Sequence, residues 1–208
     1  MSRSRRTDSR IRCFVAILLD EQVRALLAAE IDQLRPLSRA VAWVPAANLH
    51  LTLRFLGELG EERVAVAGEA LREAAEATRD FDLTLHRLGG FPGLERPRVL
   101  WVGVAEGALE ARTLQGRLEA ALDRLGFGRE ERPWHPHVTI GRIFDQRRWK
   151  RDTGPELRSA VASGASRGFG GFRVASVSLM RSDLSPEGTR YSELTRVPLA
   201  NRSADEAG

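Results

Sequence analysis

Two stretches of this chain repeat one order of elements at one spacing, which points to a fold of two similar lobes. A strand at Cys13 to Leu18, a helix and a strand at His50 to Phe55 come first; a strand at Leu100 to Val104, a helix and a strand at His137 to Arg142 follow. Phe14 precedes His50 by 36 residues, and Trp101 precedes His137 by the same 36. Two lobes facing one another would carry the last strand of each repeat to a shared cleft. The expected fold is α+β: two pseudo-symmetric lobes, each an antiparallel sheet backed by helices, with the active-site cleft between them.

The rest of the pattern fills in around the repeat. Asp20 is placed to cap a helix on which Val23, Leu26, Leu27, Ile31 and Leu34 recur at three- and four-residue steps, and Pro36 ends it. Gly57 should stop the strand that begins at His50. Glu61 to Arg79 reads as an alanine-rich helix, and Phe81, Leu83 and Leu85 alternate with Asp82, Thr84 and His86 as in a half-buried strand. The run Gly89-Gly90-Phe91-Pro92-Gly93 should break that strand. A helix from about Gly107 to Leu125 precedes Gly126, and residues 145–170, rich in Arg, Gly and Ser, read as a surface excursion. Phe172 to Arg181 and Thr189 to Leu199 read as an antiparallel hairpin turning at Ser185-Pro186-Glu187-Gly188. The polar, aperiodic ends at 1–10 and 200–208 read as disordered tails, leaving 11–199 as the domain.

Composition narrows the class of protein. With 42% hydrophobic and 29% charged residues over 208 positions, the chain can bury a sizeable core. Cys13, the only cysteine, excludes an intramolecular disulfide and fits a reducing cytoplasm. Basic residues up to Arg12 precede the apolar run Cys13 to Leu19 as in a signal peptide, but Asp20-Glu21 and an amphipathic segment follow without a small-residue cleavage site. No stretch approaches the roughly 20 apolar residues of a membrane span. Arginine supplies all but one of the 32 basic residues; its fork suits phosphate, although codon bias gives the same excess. The formal charge of +4 is a weak pointer to an acidic partner.

The chemistry lies in the repeated His-x-Thr. Alternation along a strand puts His50 and Thr52 on one face and Leu51 and Leu53 on the other; His137 and Thr139 do the same against Val138 and Ile140. One such pair is an ordinary polar strand face, whereas two at equivalent places, with matched apolar flanks, can surround one phosphate. Imidazole exists in both protonation states near neutral pH. A neutral ring can take a proton from attacking water while an imidazolium protonates the leaving oxygen, and the threonine hydroxyls can bind non-bridging oxygens. This chemistry needs neither metal nor cofactor, and near symmetry leaves open which histidine is the acid.

The segments Phe14-Val15-Ala16-Ile17, Asn48-Leu49-His50-Leu51-Thr52-Leu53-Arg54-Phe55-Leu56-Gly57, Phe91-Pro92, Arg98-Val99-Leu100-Trp101, Pro136-His137-Val138-Thr139-Ile140-Gly141-Arg142 and Arg190-Tyr191 are spread through most of the domain. Together they resemble the two-histidine phosphoesterases, and within them the RNA 2′,3′-cyclic phosphodiesterases, also called 2′-5′ RNA ligases. The resemblance implies hydrolysis of a terminal RNA or nucleoside 2′,3′-cyclic phosphate to a 2′-phosphomonoester, with 2′-5′ ligation as the related reverse reaction. It implies a stacking role for Phe55 on the terminal base and a phosphate or base contact for Arg142. Both lie five residues after a histidine, an odd offset that strict alternation would turn to the opposite face; a bulge or the strand end would reconcile them. The partners implied are RNA ends or nucleotides bearing the cyclic phosphate, acted on by a monomer away from any membrane.

Two rivals stay open at the level of sequence. One is a non-catalytic module that binds nucleotides or RNA ends through the same four groups. The other is a metal-dependent phosphohydrolase using His135, His137 and His50, against which the scarcity of nearby carboxylates counts. His86 reads as solvated, the N-terminal arginines as a solvated tail, and the four tryptophans as packing residues, with Trp134 close to His137.

Overall fold

The computed structural model describes residues 10–152, 155–186 and 188–201. Of the expected tails at 1–10 and 200–208, residues 1–9 and 202–208 lie outside these residues, as does Glu187 of the hairpin turn, whereas Ala200 is bonded to the main chain at Thr78 and Asp80. Ile11–Leu18 (β1) shows why its sequence is apolar without alternation. Cys13, Val15 and Ile17 enter the main core, whereas Phe14 and Ala16 pack with Met180 on the other face. A strand covered on both sides has no polar face to display. Asp20 caps Glu21–Leu34 (α1), accepting the Val23 N–H at 2.8 Å, and Val23, Leu27, Ile31 and Leu34 turn inward. Leu26, expected on that stripe, is 45% exposed.

Val41–Trp43 (β2) is too short to show a period in sequence. His50–Leu59 (β3) continues past Gly57, whose left-handed φ of 72° kinks the strand without ending it. Glu61–Glu76 (α2) stops three residues before Arg79, because Thr78 and Asp80 bond the main chain of Ala200. Phe81–Phe91 (β4) likewise runs through Gly89 and Gly90, where a break was expected. A Cβ on Gly89 would lie 2.2 Å from the Trp101 indole, so the glycine makes room for a neighbouring ring.

Val99–Val104 (β5), Ala108–Arg124 (α3) and His137–Ile143 (β6) follow the expected order. Residues 145–170 depart from it: Gln146–Asp152 (α4) and Pro155–Ser163 (α5) bury Trp149, Leu157 and Val161 in the main core. The expected single strand at 172–181 is two strands, Gly168–Val174 (β7) and Ser176–Ser185 (β8), which part at Ala175 and join opposite halves of the sheet. Gly188–Pro198 (β9) forms the expected antiparallel hairpin with β8.

The nine strands form one sheet in the order β7-β4-β5-β6-β3-β1-β8-β9, with β2 beside β6. The repeats are visible in it, since β1 pairs with β3 and β5 pairs with β6, both antiparallel. The two lobes are thus halves of one sheet, and they meet at β3 and β6 through a single ladder pair, Leu51 opposite Val138. The apolar sides of both halves and the helices share one core. The His-x-Thr side chains occupy the other face at this seam.

Candidate active site

Each histidine opens its strand after a segment that supplies a main-chain acceptor. The turn Ala46–Asn48 presents the Asn48 carbonyl to His50 Nδ1 at 2.8 Å, and the His135 carbonyl stands 2.7 Å from His137 Nδ1. A carbonyl can only accept, so Nδ1 carries the proton in both rings and Nε2 is left to exchange one. Thr52 Oγ1 lies 2.9 Å from His50 Nε2, donating to the neutral ring or accepting from the imidazolium.

The seam brings the two motifs together. Continuing the antiparallel register outward from Leu51 and Val138 puts His50 abreast of Thr139 and Thr52 abreast of His137. Leu51 and Val138 are fully buried beneath, while the four polar residues are half-buried above. Trp134 braces the approach to β6, its Nε1 donating to the Thr52 carbonyl at 3.0 Å. Asn48 braces the other side, its Nδ2 donating to the Thr189 carbonyl at 2.7 Å.

Phe55 and Arg142 share the face of the histidines because each strand carries a bulge. Phe14 pairs with Phe55 and Ala16 with Thr52, which leaves Leu53 as the extra residue; Trp101 pairs with Thr139 and Leu100 with Gly141, which leaves Ile140 extra. Both extra residues stand three places after a histidine, and each restores the odd offset to the site face. Phe55 is 59% exposed and lines, with Arg142, Phe14 and Tyr191, a cavity of about 440 Å³.

Aromatic rings wall the histidines. Phe14 lies 4.8 Å from His50 between ring centroids, and Tyr191 stands edge-on to it at 5.3 Å. Phe91 stands edge-on to His137 at 5.1 Å and also meets Trp101 at 5.1 Å. In the sequence Phe14 marks the repeat spacing, Phe91 lies in a glycine-rich run and Tyr191 in a family segment, and none of these places points to the site. The available signal was Phe14 itself, a large ring on the side of β1 opposite the core residues.

Burial pushes the pKa of both histidines below the ordinary 6.5, the accepting carbonyls partly offset this, and the Arg142 charge lowers both further. The His137 charge also lowers the His50 pKa, so the rings sense one another. His135 is exposed, its ring 6.1 Å from Phe91, and the described residues contain no group of three His, Cys, Asp or Glu able to hold a metal. His86, expected in solvent, is half-buried on β4 opposite Gly103 and Gly168, away from the seam. No helix among the described residues is long and apolar enough to cross a membrane.

Comparison with known proteins agrees with this architecture. Residues 23–185 match the family model of the 2′-5′ RNA ligase superfamily. An RNA 2′,3′-cyclic phosphodiesterase of Methanothermobacter thermautotrophicus is 33% identical over 89% of this chain and 97% of its own length. One from Archaeoglobus fulgidus is 35% identical over 88% and 98%. Among solved structures, a protein of Thermus thermophilus superposes with a TM-score of 0.71 at 30% identity, covering 92% of this chain and 100% of that one. E. coli LigT complexed with 3′-AMP gives 0.71 at 27% identity, covering 92% and 99%. By sequence over most of its length and by fold, this chain belongs to the 2′-5′ RNA ligase superfamily.

Proposed function

We propose that the chain hydrolyses the 2′,3′-cyclic phosphate of an RNA end or nucleotide to a 2′-phosphomonoester, with His50 and His137 as general acid and base. The observation that supports this is the matched pair of Nδ1 bonds on adjoining strands, which leaves the Nε2 of each ring for proton exchange on the same face of the seam. A neutral Nε2 takes a proton from water as its oxygen attacks phosphorus; the bond from phosphorus to O3′ breaks, and the imidazolium Nε2 protonates O3′. Thr52 and Thr139 hold non-bridging oxygens, Arg142 complements the phosphate charge, and Phe55 offers a stacking surface to the base. With a 5′-hydroxyl in place of water the same steps would join two ends: the neutral Nε2 takes the hydroxyl proton as its oxygen bonds phosphorus, the bond from phosphorus to O3′ breaks, and the imidazolium protonates O3′, leaving a 2′-5′ phosphodiester. All these groups come from one chain, so a monomer suffices, and the single buried cysteine suits a reducing cytoplasm. The relatives named above carry the same activity in their names.

Incubation with a 2′,3′-cyclic nucleotide in excess chelator tests the reading. Wild type should release the 2′-monophosphate, and His50→Ala and His137→Ala should each lower kcat by about 10²- to 10⁴-fold. Undiminished turnover in both variants ends the proposal; tight nucleotide binding without turnover in wild type would make the chain a binding module.

A further inference from the structure

We propose that the cavity beside His50 holds a second anion subsite, centred on Arg12, which takes the 5′-phosphate of the terminal nucleotide. The preferred substrate is then a nucleotide carrying phosphate at its 5′ position, as at the end of an RNA chain, and not a bare nucleoside cyclic phosphate. This rests on the phosphodiesterase reading above.

The cavity, at about 440 Å³, is within the range of small-molecule sites. Its wall carries two guanidiniums, Arg142 and Arg12, only one of which is needed beside the reacting phosphate. Arg142 is the one whose charge acts on both histidines. Arg12 lies further along the same face, since Arg12, Phe14 and Ala16 alternate on β1 and Ala16 pairs with Thr52. Four residues of strand, roughly 13 Å, separate Arg12 from the Thr52 level, and the long arginine side chain covers part of that interval. Phe14, Phe55 and Tyr191 form the cavity's aromatic walls, a place for the nucleoside between two anionic ends.

Arg12 is also free for such a partner. Arg181, on the adjoining strand β8 opposite Cys13, is held by Asp183 at 2.8 Å. Arg12 faces Glu58 across β3, yet its guanidinium makes no ion pair or hydrogen bond among the described residues. Ser182, which pairs with Tyr191, and Thr189, which pairs with Leu184, add hydroxyls to the same cavity wall, and alternation turns Asp183 to the other face. A guanidinium with hydroxyls nearby and no carboxylate attached is a phosphate-binding set.

The test compares kcat/KM for a nucleoside 2′,3′-cyclic phosphate with and without a 5′-phosphate, in wild type and Arg12→Gln. Wild type should favour the 5′-phosphorylated substrate at least about tenfold, the effect of one charge-assisted contact, and the ratio should fall to within about twofold in the variant. A wild-type ratio near one, or a ratio kept by Arg12→Gln, overturns the subsite. If wild type turns over neither substrate, the hydrolase reading fails separately. Calorimetric titration with a nucleoside 2′,5′-bisphosphate against the 2′-monophosphate then decides Arg12: a tenfold tighter Kd lost in Arg12→Gln supports the subsite, and equal affinities remove it.

Discussion

His50 and His137 each give one ring nitrogen to the main chain, which leaves Nε2 as the nitrogen able to exchange a proton. Burial is the largest cause lowering both pKa values below 6.5, so both rings favour the neutral form in the free protein at neutral pH. The proposed reaction needs one proton on the pair. The bell-shaped profile of kcat/KM, which reports the free enzyme, should therefore peak on the acid side of neutrality. An anionic phosphate between the rings favours imidazolium, so the kcat profile should lie at higher pH than that of kcat/KM. Profiles with a kcat/KM maximum above pH 7 would contradict this. At this scale the sequence was informative: the four His-x-Thr residues read directly from strand alternation. The aromatic walls did not, because a ring's neighbours depend on strand order that β1 alone does not reveal.

Elements show where local pattern and tertiary context part company. The bulges at Leu53 and Ile140 exist only relative to partner strands, so Phe55 and Arg142 looked misdirected from alternation alone. Gly89 and Gly90 read as a break because glycine is costly in a strand; here Gly89 clears space for the Trp101 indole. Gly89→Ala should destabilise by about 1 to 3 kcal/mol through overpacking, seen as a lower Tm. Trp101 leans on Phe91, which walls His137, so the same variant should also lower kcat for the cyclic nucleotide. A Tm and kcat equal to wild type would show that the indole moves freely. The arginine- and serine-rich stretch 145–170 hid Trp149, Leu157 and Val161, whose burial makes its helices part of the core. Their polar neighbours diluted the apolar signal below what periodicity detects.

Across the whole molecule, the repeat anticipated two halves, but not that one continuous sheet would join them or that the chain would cross between halves at Ala175. That crossing depends on which edges need a partner, a property no single strand carries. The fold also accommodates its histidines best when neutral, which ties stability to pH. With folded-state pKa values lowered, the unfolded chain binds more protons as pH falls below about 6.5, so their stabilising contribution is complete above that value and is lost through the folded pKa values. Melting curves from pH 7.5 to 5 should show a falling Tm, with a shallower fall in the double variant His50→Gln, His137→Gln. Equal slopes would mean that other groups govern acid sensitivity.

The lone rung between Leu51 and Val138 makes the gap between the two histidine strands a pair of calipers. Each half is cross-linked along its own ladders, while directly under the imidazoles the two strands that carry them share this one rung, braced beside it by the Trp134 bond to the Thr52 carbonyl. Because Leu51 and Val138 are both buried in the core that the halves share, a change in bulk at either would reset the spacing of the imidazoles from below.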